Sequence, residues 1–325
     1  MSIHVTLYRG YANEQEIVIS GHVVKSKDPA AYKLDQKKIK HALTIIRLFR
    51  IQTLPNVRVR LRFKEIDVET KTMNDGYFKF CIPYREALAS GWHQVTISAY
   101  FNEYEIERQG EFIKPHTGEY GLISDIDDTF LISHSGSFFK KIYVLLTRNI
   151  ERRKTFDGVV EHYRLLASAG RIQKNESNAF FYVSSSEWNL YGFIEGFAER
   201  QGFPKAVIQL KKIKQGLADF LFTGGGSHDH KFHKIKSILE FYPELRFVLL
   251  GDDSQKDPYI YERIVKMFPM NVRAIYIRQT MSKKKSAVVN LLKNVENMGV
   301  AVCYFEQSAQ AKEHSLAIGL VKSSS

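Results

Sequence analysis

The chain of 325 residues contains 47 Lys and Arg against 35 Asp and Glu, a formal net charge of +12, with 44% hydrophobic and 13% aromatic residues. This composition excludes extended disorder, because so many apolar side chains can offset the entropy cost of ordering, and the length favours two domains over one core. The positive charge favours anionic partners but does not choose among phosphorylated metabolites, nucleic acid and acidic lipid surfaces.

The sequence shows no pattern of a secreted or membrane-spanning chain. Its two cysteines, Cys81 and Cys303, do not make a disulfide framework. The first residues, MSIHVTLYRG, lack the features of a signal peptide, and no apolar run reaches the ~18 residues that a membrane span requires. We therefore expect a cytoplasmic protein with reduced thiols.

Residues 1–115 have the pattern of a β-rich domain. The segments VRVRLRF, GYFKFCI and WHQVTISAY alternate polar and apolar residues or are rich in β-branched and aromatic ones, and Asn-Asp-Gly at 74–76 gives a tight-turn signal. This pattern predicts a small β-sandwich. Residues 34–50 interrupt this pattern with apolar side chains at helical spacing among basic ones, which predicts an amphipathic helix. Packing of this helix on the core is favoured over contact with an anionic membrane.

From residue 116 onwards, short apolar runs alternate with amphipathic helical stretches. The runs are YGLISDID, AFFYVSSS, FPKAVIQL, LRFVLLGDD and VRAIYIR. This alternation predicts an α/β fold, with a Rossmann-like parallel sheet flanked by helices, over residues 116–310, followed by a C-terminal tail at 311–325. Ligands of such sheets bind beyond the carboxyl ends of the strands, so functional polar residues should directly follow the apolar runs.

The first polar cluster is the motif Asp-Ile-Asp-Asp-Thr, which runs from Asp125 to Thr129. Three carboxylates within four residues at the end of an apolar strand are costly unless something neutralises them. A divalent cation such as Mg²⁺ does this well, because it prefers hard oxygen ligands. Taken alone, the motif fits a solvated acidic turn or a helix N-cap equally well.

Three more polar sites accompany the later apolar runs, two of them directly after a run and one between two runs. They are Ser184-Ser185-Ser186, then Lys231 at the start of a helical stretch, then Asp252, Asp253 and Asp257. Taken singly, the serines fit the N-cap of the next helix and the lysine fits the surface. Beside two acidic strand ends, the lysine can instead balance their charge and that of a phosphate.

Four elements, DxDxT, a strand-terminal Ser, Lys and GDxxxxD, occur in the order typical of the haloacid-dehalogenase phosphotransferase superfamily. The stretches SDIDDT, FYVSSSEWNLY, HK followed by SILEFYPELRFVLLGD, and QKDPYIY resemble the catalytic domain of the actin-patch-protein type of phosphatidate phosphatase, a relative of the lipins. The resemblance covers residues 117–280, and the β-rich first third resembles the N-terminal region usual in this family. Two departures, Glu187 for a common Pro and Asp253-Ser254 for Ser-Gly, can reshape the substrate pocket.

The resemblance implies a mechanism with a covalent intermediate. Asp125 would be the nucleophile that forms an aspartyl-phosphate, and Asp127 would protonate the leaving oxygen and later activate water. Mg²⁺ would be held by Asp125, the backbone carbonyl of Asp127, and Asp252. Either Asp257 or Asp253 would complete this set of ligands, and the spacing favours Asp257.

The resemblance also implies which residues bind the substrate. Ser184 and Lys231 would orient and neutralise the transferring phosphoryl group, whose transition state needs mainly positioning and charge stabilisation. Ser185 is a further candidate for substrate binding, and Thr129 is expected to brace the nucleophile loop. Lys211 and Lys212 are candidates for a separate reason, because they directly follow an apolar strand and can face the site.

The substrate expected from the resemblance is phosphatidate, with diacylglycerol and phosphate as products. Residues 137–153 mix apolar and basic side chains directly after the nucleophile loop. They fit peripheral contact with an anionic membrane, although a cap helix that packs on the sheet fits slightly better. We expect no nucleic-acid partner.

Two alternatives stay open from the sequence. The first is a phosphatase of the same mechanism that acts on a soluble phosphomonoester. The second is a non-catalytic module, either a lipid-docking adaptor or a phospho-receiver, because receiver domains also place acidic residues, a hydroxyl and a lysine at strand ends.

Overall fold

The computed structural model describes residues 2–26, 51–116, 120–126, 158–170, 177–211, 229–254 and 256–322. The amphipathic segments at 34–50 and 137–153 lie outside these ranges. Within the described ranges, no helix has both the length and the apolar character needed to cross a membrane.

The first eight strands form one sheet. They are β1 (Ser2–Ala12), β2 (Glu16–Ser26), β3 (Gln52–Thr53), β4 (Arg58–Phe63), β5 (Ile66–Lys71), β6 (Tyr77–Pro83), β7 (Gly91–Phe101) and β8 (Tyr104–Lys114). The pairing order is β3-β2-β1-β8-β7-β4-β5, and β6 also pairs with β2. β1 and β8 pair in parallel, whereas the other pairings found are antiparallel.

Strand β4 shows why this part of the sequence forms strands. Val59, Leu61 and Phe63 are buried in the core of the sheet. Arg60 and Arg62, which alternate with them, lie on the outer face. Successive side chains of a strand point to opposite faces, so this alternation buries one side of the sheet. The predicted β-rich region is confirmed.

The predicted turn at residues 74–76 is also present. The N–H of Gly76 donates to the carbonyl of Met73 over 2.9 Å, and the carboxylate of Asp75 accepts from the N–H of Tyr77 over 3.0 Å. Gly76 has φ of +72°, and a Cβ there would lie 2.7 Å from the carbonyl oxygen of Val23. Only glycine fits this turn without strain.

The two-layer sandwich expected for this region is not confirmed. The described strands form a single sheet, whose apolar side chains share one core. β5 and β6 lie against each other although they come near opposite ends of the pairing order, so the sheet curls around its core. Local alternation predicts strands, but register and partner choice depend on contacts distant in sequence.

The second sheet is parallel. Its strands are β9 (Tyr120–Asp125), β10 (Ala179–Glu187), β11 (Ala206–Lys211), β12 (Arg246–Asp252), β13 (Val272–Arg278) and β14 (Ala301–Phe305). The order is β11-β10-β9-β12-β13-β14, with all five pairings parallel. The chain winds outward from β9 in both directions, which is a doubly wound arrangement. The predicted α/β fold with a parallel sheet is confirmed.

Helices cover both faces of the parallel sheet. They are α1 (Val159–Ala167), α2 (Tyr191–Gln201), α3 (Asp229–Phe241), α4 (Asp257–Met267), α5 (Ser286–Asn297) and α6 (Ser308–Ala317). Leu122 and Tyr182 share a core with α1, α2 and α6, whereas Ile123 and Phe181 share the opposite core with α3, α4 and α5. The strands are apolar on both sides because both faces are covered.

The division into domains 1–115 and 116–310 with a tail at 311–325 stays a prediction. Helix α6 runs across residue 310, and Leu320 beyond it is buried in the core that α1 and α2 share.

Candidate active site

The site lies at the carboxyl edge of the parallel sheet, where β9 and β12 are neighbours. The two strands pair with Ser124 beside Leu250, so Asp125 and Asp252 emerge from the same edge. The chain reverses its direction of winding between these two strands, and such a point leaves a crevice in which ligands bind.

Three buried carboxylates meet in this crevice. Asp125, Asp252 and Asp257 each offer one oxygen, and these oxygens lie within 4.8 Å of one another. The residues are 1%, 0% and 0% exposed, respectively. The first turn of α4 carries Asp257 back over the end of β12. Gly251 permits this approach, because a Cβ there would lie 2.6 Å from the Asp257 carboxylate.

Lys231, in the first turn of α3, lies among these carboxylates. Its ammonium is 3.0 Å from Asp125 Oδ1 and also bonds Asp257, and its side chain is 3% exposed. Burial alone would lower the pKa of Lys231, but Asp125 and Asp257 raise it well above its ordinary value. The lysine therefore stays charged and holds the two acids in place.

The donor set fits a divalent cation. Three carboxylates against one ammonium leave an excess of two negative charges if all are ionised. Burial, and then the charge of Asp257, raises the pKa of Asp252 to about 7. Within the described part of the chain, one oxygen each of Asp252 and Asp257 has no hydrogen-bond partner. Buried, unpartnered carboxylate oxygens are costly, and a hard cation such as Mg²⁺ would satisfy them.

The geometry distinguishes Asp253 from Asp257, either of which the sequence allowed as the further metal ligand. The Asp253 carboxylate accepts from the N–H of Thr280 over 2.9 Å, from the Thr280 hydroxyl, and from the Tyr304 hydroxyl over 2.6 Å. Both oxygens of Asp253 are therefore used to tie together the ends of β12, β13 and β14. Asp257, and not Asp253, joins the carboxylate group.

The predicted serines lie just before the carboxyl end of strand β10, which is next to β9 in the sheet. Val183 pairs with Asp125, so Ser184 lies one residue beyond the level of the predicted nucleophile. Ser184 is buried, its hydroxyl donates to that of Ser186 over 2.6 Å, and it accepts from the N–H of Ser186 over 2.9 Å. Ser185 is half-buried. The three serine hydroxyls thus lie at the carboxyl edge of the sheet, on the strand next to Asp125.

Lys211 lies farther from the carboxylates than the other described candidates. It ends the outermost strand, β11, where it pairs with Glu187 and is half-buried. Two strands separate it from β12. Asp127, Thr129 and Lys212 lie outside the described residues.

Sequence reasoning missed two hydroxyl groups that lie next to Asp125, the predicted nucleophile. The Ser124 hydroxyl donates to the backbone carbonyl of Asp125 over 2.7 Å, and it shares a 2.6 Å hydrogen bond with the Tyr163 hydroxyl. Both residues are buried. A serine just before the acidic motif was visible in the sequence, but its partner on α1 was not.

Arg278 was also missed. It ends β13 opposite Asp252 and is 2% exposed. Its guanidinium donates to Ser308 Oγ over 2.8 Å and lies 4.9 Å from the ring centroid of Phe305. Burial lowers the pKa of Arg278 to about 10 although Tyr163 and Asp252 oppose the shift. An arginine closing the apolar run VRAIYIR was the available signal.

Residues 120–279 match the family model described as phosphatidate phosphatase APP1, catalytic domain. The matched segment contains the three carboxylates, Lys231 and Ser184. The resemblance expected from the sequence motifs is thereby confirmed for this part of the chain.

Two curated relatives are similar to this chain over more than half of its length. Phosphatidate phosphatase APP1 of Saccharomyces cerevisiae is 29% identical over 187 residues, which are 55% of this chain and 29% of the yeast protein. An uncharacterised protein of Schizosaccharomyces pombe is 24% identical over 208 residues, 62% of this chain and 31% of that protein. The aligned regions thus span less than a third of either relative.

Among solved structures, a carbohydrate acetylesterase from Xanthomonas citri aligns with 98% of this chain and 75% of its own at 9% identity, with a TM-score of 0.35. A likeness this low carries no argument about fold or function.

Proposed function

We propose that this chain, whose residues 120–279 match a phosphatidate phosphatase catalytic domain, is a Mg²⁺-dependent phosphatase that releases diacylglycerol from phosphatidate through an aspartyl-phosphate on Asp125. The observation that carries the proposal is the buried group of Asp125, Asp252 and Asp257 around Lys231 at the switch point of the parallel sheet. We assign the parallel sheet and its helices to the haloacid-dehalogenase-like fold on the same grounds.

The first step is an attack on phosphorus by an Asp125 carboxylate oxygen. An O–P bond forms to Asp125 as the bond to the alcohol oxygen breaks, and Asp127 gives that oxygen its proton. In the second step, Asp127 takes a proton from water, which attacks phosphorus and releases phosphate and free Asp125. The hydrogen bond from Ser124 to the Asp125 carbonyl supports the strand end from which the nucleophile emerges.

Charge compensation would come from the cation and Lys231 together. Mg²⁺ held by Asp125, Asp252 and Asp257, with the Asp127 carbonyl, would supply positive charge beside the phosphoryl oxygens. Lys231 keeps its proton, so it can neutralise part of the charge on the phosphoryl group.

The serine run would bind the phosphoryl oxygens. We assign Ser184 and Ser185 to this role because they extend one and two residues past the level of Asp125 on the neighbouring strand. Lys211 at the end of β11, and Lys212 next to it in the sequence, would attract the anionic substrate, and Thr129 would brace the nucleophile loop.

Phosphatidate is favoured over a soluble phosphomonoester by the family match and by the relative from yeast, whose name states that activity. The net charge of +12 suits an anionic lipid surface. We further propose a cytoplasmic enzyme with peripheral membrane contact, built from an N-terminal domain (1–115) and a phosphatase domain (116–310) with a C-terminal tail (311–325).

The test is phosphate release from phosphatidate in mixed micelles, compared with a panel of sugar phosphates and nucleotides. We expect turnover of phosphatidate that requires Mg²⁺ and stops with a chelator. Turnover of the soluble esters alone would assign a soluble substrate. No release from any ester, including a chromogenic phosphomonoester, would contradict the enzyme and favour a non-catalytic module.

A further inference from the structure

The chain between the serine run and the next helix is very short. β10 ends at Glu187, a 3-10 turn spans Trp188–Leu190, and α2 begins at Tyr191. No flexible linker separates the serines from this helix. Contacts that fix the positions of Trp188 and the start of α2 therefore also restrict the position of the carboxyl end of β10.

Trp188 stacks on a histidine of the N-terminal sheet. The rings of Trp188 and His22, on β2, have centroids 3.9 Å apart and an interplanar angle of 6°. The residues are 6% and 1% exposed, respectively. His22 Nδ1 and the Tyr8 hydroxyl share a 2.6 Å hydrogen bond. Two buried rings in parallel contact leave Trp188 little freedom to shift.

The neighbouring strand β1 holds helix α2 along one side. The backbone N–H of Arg9 donates to the Tyr191 hydroxyl over 2.8 Å. The Arg9 guanidinium lies 3.4 Å from Glu195 and 2.5 Å from Glu199. Residues 191, 195 and 199 share one face of a helix because they are four apart, so a single arginine contacts two turns of α2.

We call the contacts of Tyr8, Arg9 and His22 with Trp188 and Tyr191 the aromatic brace. The brace acts on the end of β10 and on α2. The carboxylates of the proposed cation site come instead from β9, β12 and α4. Loss of the brace should therefore affect the serines and leave the cation site intact.

We propose that the N-terminal sheet is a positioning part of the active site, which through the aromatic brace keeps the hydroxyls of Ser184 and Ser185 directed at the phosphoryl group. This inference rests on the proposed function, which assigns phosphate binding to those serines. Trp188 and His22 touch no reacting atom and act through the serine run. A misplacement of about 1 Å can lower a rate about 10²-fold, so a brace outside the crevice can control turnover.

The test compares Trp188→Ala and His22→Ala with the unaltered full chain, using p-nitrophenyl phosphate and Mg²⁺. We expect kcat/KM to fall about tenfold or more. KM for the ester and the inhibition constant of inorganic phosphate should both rise. The Mg²⁺ concentration for half-maximal turnover should not change, because the cation ligands lie on other elements.

Two further variants separate positioning from a general loss of structure. Trp188→Phe keeps an aromatic ring against His22 and should recover most of the activity. Tyr242→Phe removes a hydroxyl that donates to the carbonyl of Ala12 over 3.1 Å, a contact with β1 that lies in the core on the opposite face of the parallel sheet from Tyr191. It should leave every kinetic constant unchanged. A merely structural brace would lower the amount of folded protein, seen by circular dichroism, without changing KM or phosphate inhibition.

A second measurement keeps the inference separate from the proposed activity. The chain has two tryptophans, so Trp188 is the sole one in Trp92→Phe, and its emission should change when inorganic phosphate and Mg²⁺ are added. If the unaltered chain hydrolyses no ester, the proposed function is wrong and this binding signal alone decides about the brace. The positioning role would be overturned if the emission of Trp188 did not change when phosphate is added. It would also be overturned if kcat/KM, KM and the inhibition constant of phosphate were unchanged in both alanine variants.

Discussion

Charged side chains on the outer face of the N-terminal sheet are exposed, whereas those at the carboxyl edge of the parallel sheet are buried. Arg62 and Glu107 pair on the outside of the first sheet, with side chains 46% and 50% exposed. Lys231 and Asp125 pair at the edge of the second, with side chains 3% and 0% exposed. An exposed pair costs little and adds little stability, whereas each buried charge carries a penalty of several kcal/mol. Burial of the charge, more than the type of residue, distinguishes the site.

The largest effect on activity is expected from Asp125→Asn. An amide cannot form the aspartyl-phosphate, so turnover should fall by at least about 10³-fold. The fold should remain, because the amide has the same shape and removes one of three clustered negative charges. Phosphate release and circular dichroism measure the two quantities.

The matched change in the N-terminal sheet is Asp67→Asn. Asp67 pairs with Arg60 on the surface, and its loss should leave turnover at the unaltered level. Turnover of Asp125→Asn close to that of Asp67→Asn would refute the assignment of Asp125 as nucleophile.

Lys231→Met should lower both turnover and stability. The change leaves Asp125 and Asp257 without their buried counter-charge, and loss of one partner of such a pair costs about 3–5 kcal/mol. Loss of a group that stabilises transition-state charge lowers kcat by about 10²–10³-fold. Urea unfolding and phosphate release give the two values.

The control for Lys231→Met lies on the same helix. Lys236 pairs with Glu240 on the exposed side of α3, so Lys236→Met should change neither quantity appreciably. Equal effects of the two substitutions would contradict the central role given to Lys231.

A third prediction concerns a buried histidine away from the crevice. His162, on α1, shares a 2.9 Å hydrogen bond with Ser315 of α6. Burial, with Arg278 and His314 nearby, lowers the pKa of His162 to about 3. In the unfolded chain, His162 therefore binds a proton near pH 6.5, whereas in the folded chain it stays neutral at that pH. The free energy of unfolding consequently falls as the pH drops below about 6.5.

His162→Gln should remove this part of the acid sensitivity. From pH 7 to pH 4.5, the free energy of unfolding of the unaltered chain should fall by roughly 2–3 kcal/mol more than that of the variant. Urea unfolding at the two pH values measures both decreases. If the free energy of unfolding fell as much in His162→Gln as in the unaltered chain, the prediction would be contradicted.

The parallel sheet and most of the candidate site at its carboxyl edge could be predicted from the sequence for one reason. A strand covered on both faces reads as a continuous apolar run, so the first polar residue after each run marks the edge of the sheet. Asp125, Ser184 and Asp252 were found by this rule. The rule gives the position along the chain, and the parallel topology brings those positions together.

The remaining features depend on contacts that no local pattern encodes. Asp253 and Asp257 follow the same strand, and only the path of the chain past Gly251 decides which of them faces Asp125. Likewise, alternation in β4 predicts a strand but not the curl of the whole sheet. The stack of His22 on Trp188 joins residues far apart in sequence, so it could be found only in the folded chain.

The smallest effect is expected from the exposed pair of Arg62 and Glu107 on the N-terminal sheet. Arg62→Gln removes the bond to Glu107, and exposed pairs of this kind contribute about 0.2–1 kcal/mol. Salt should abolish even this difference, because mobile ions screen exposed charges over about 10 Å at 0.1 M ionic strength. We therefore expect urea unfolding of Arg62→Gln to approach that of the unaltered chain as salt rises, whereas Lys231→Met should stay destabilised at every salt concentration. If the destabilisation by Lys231→Met depended on salt, the crevice would be more accessible to solvent than its buried carboxylates imply. The contrast between the two regions would then disappear.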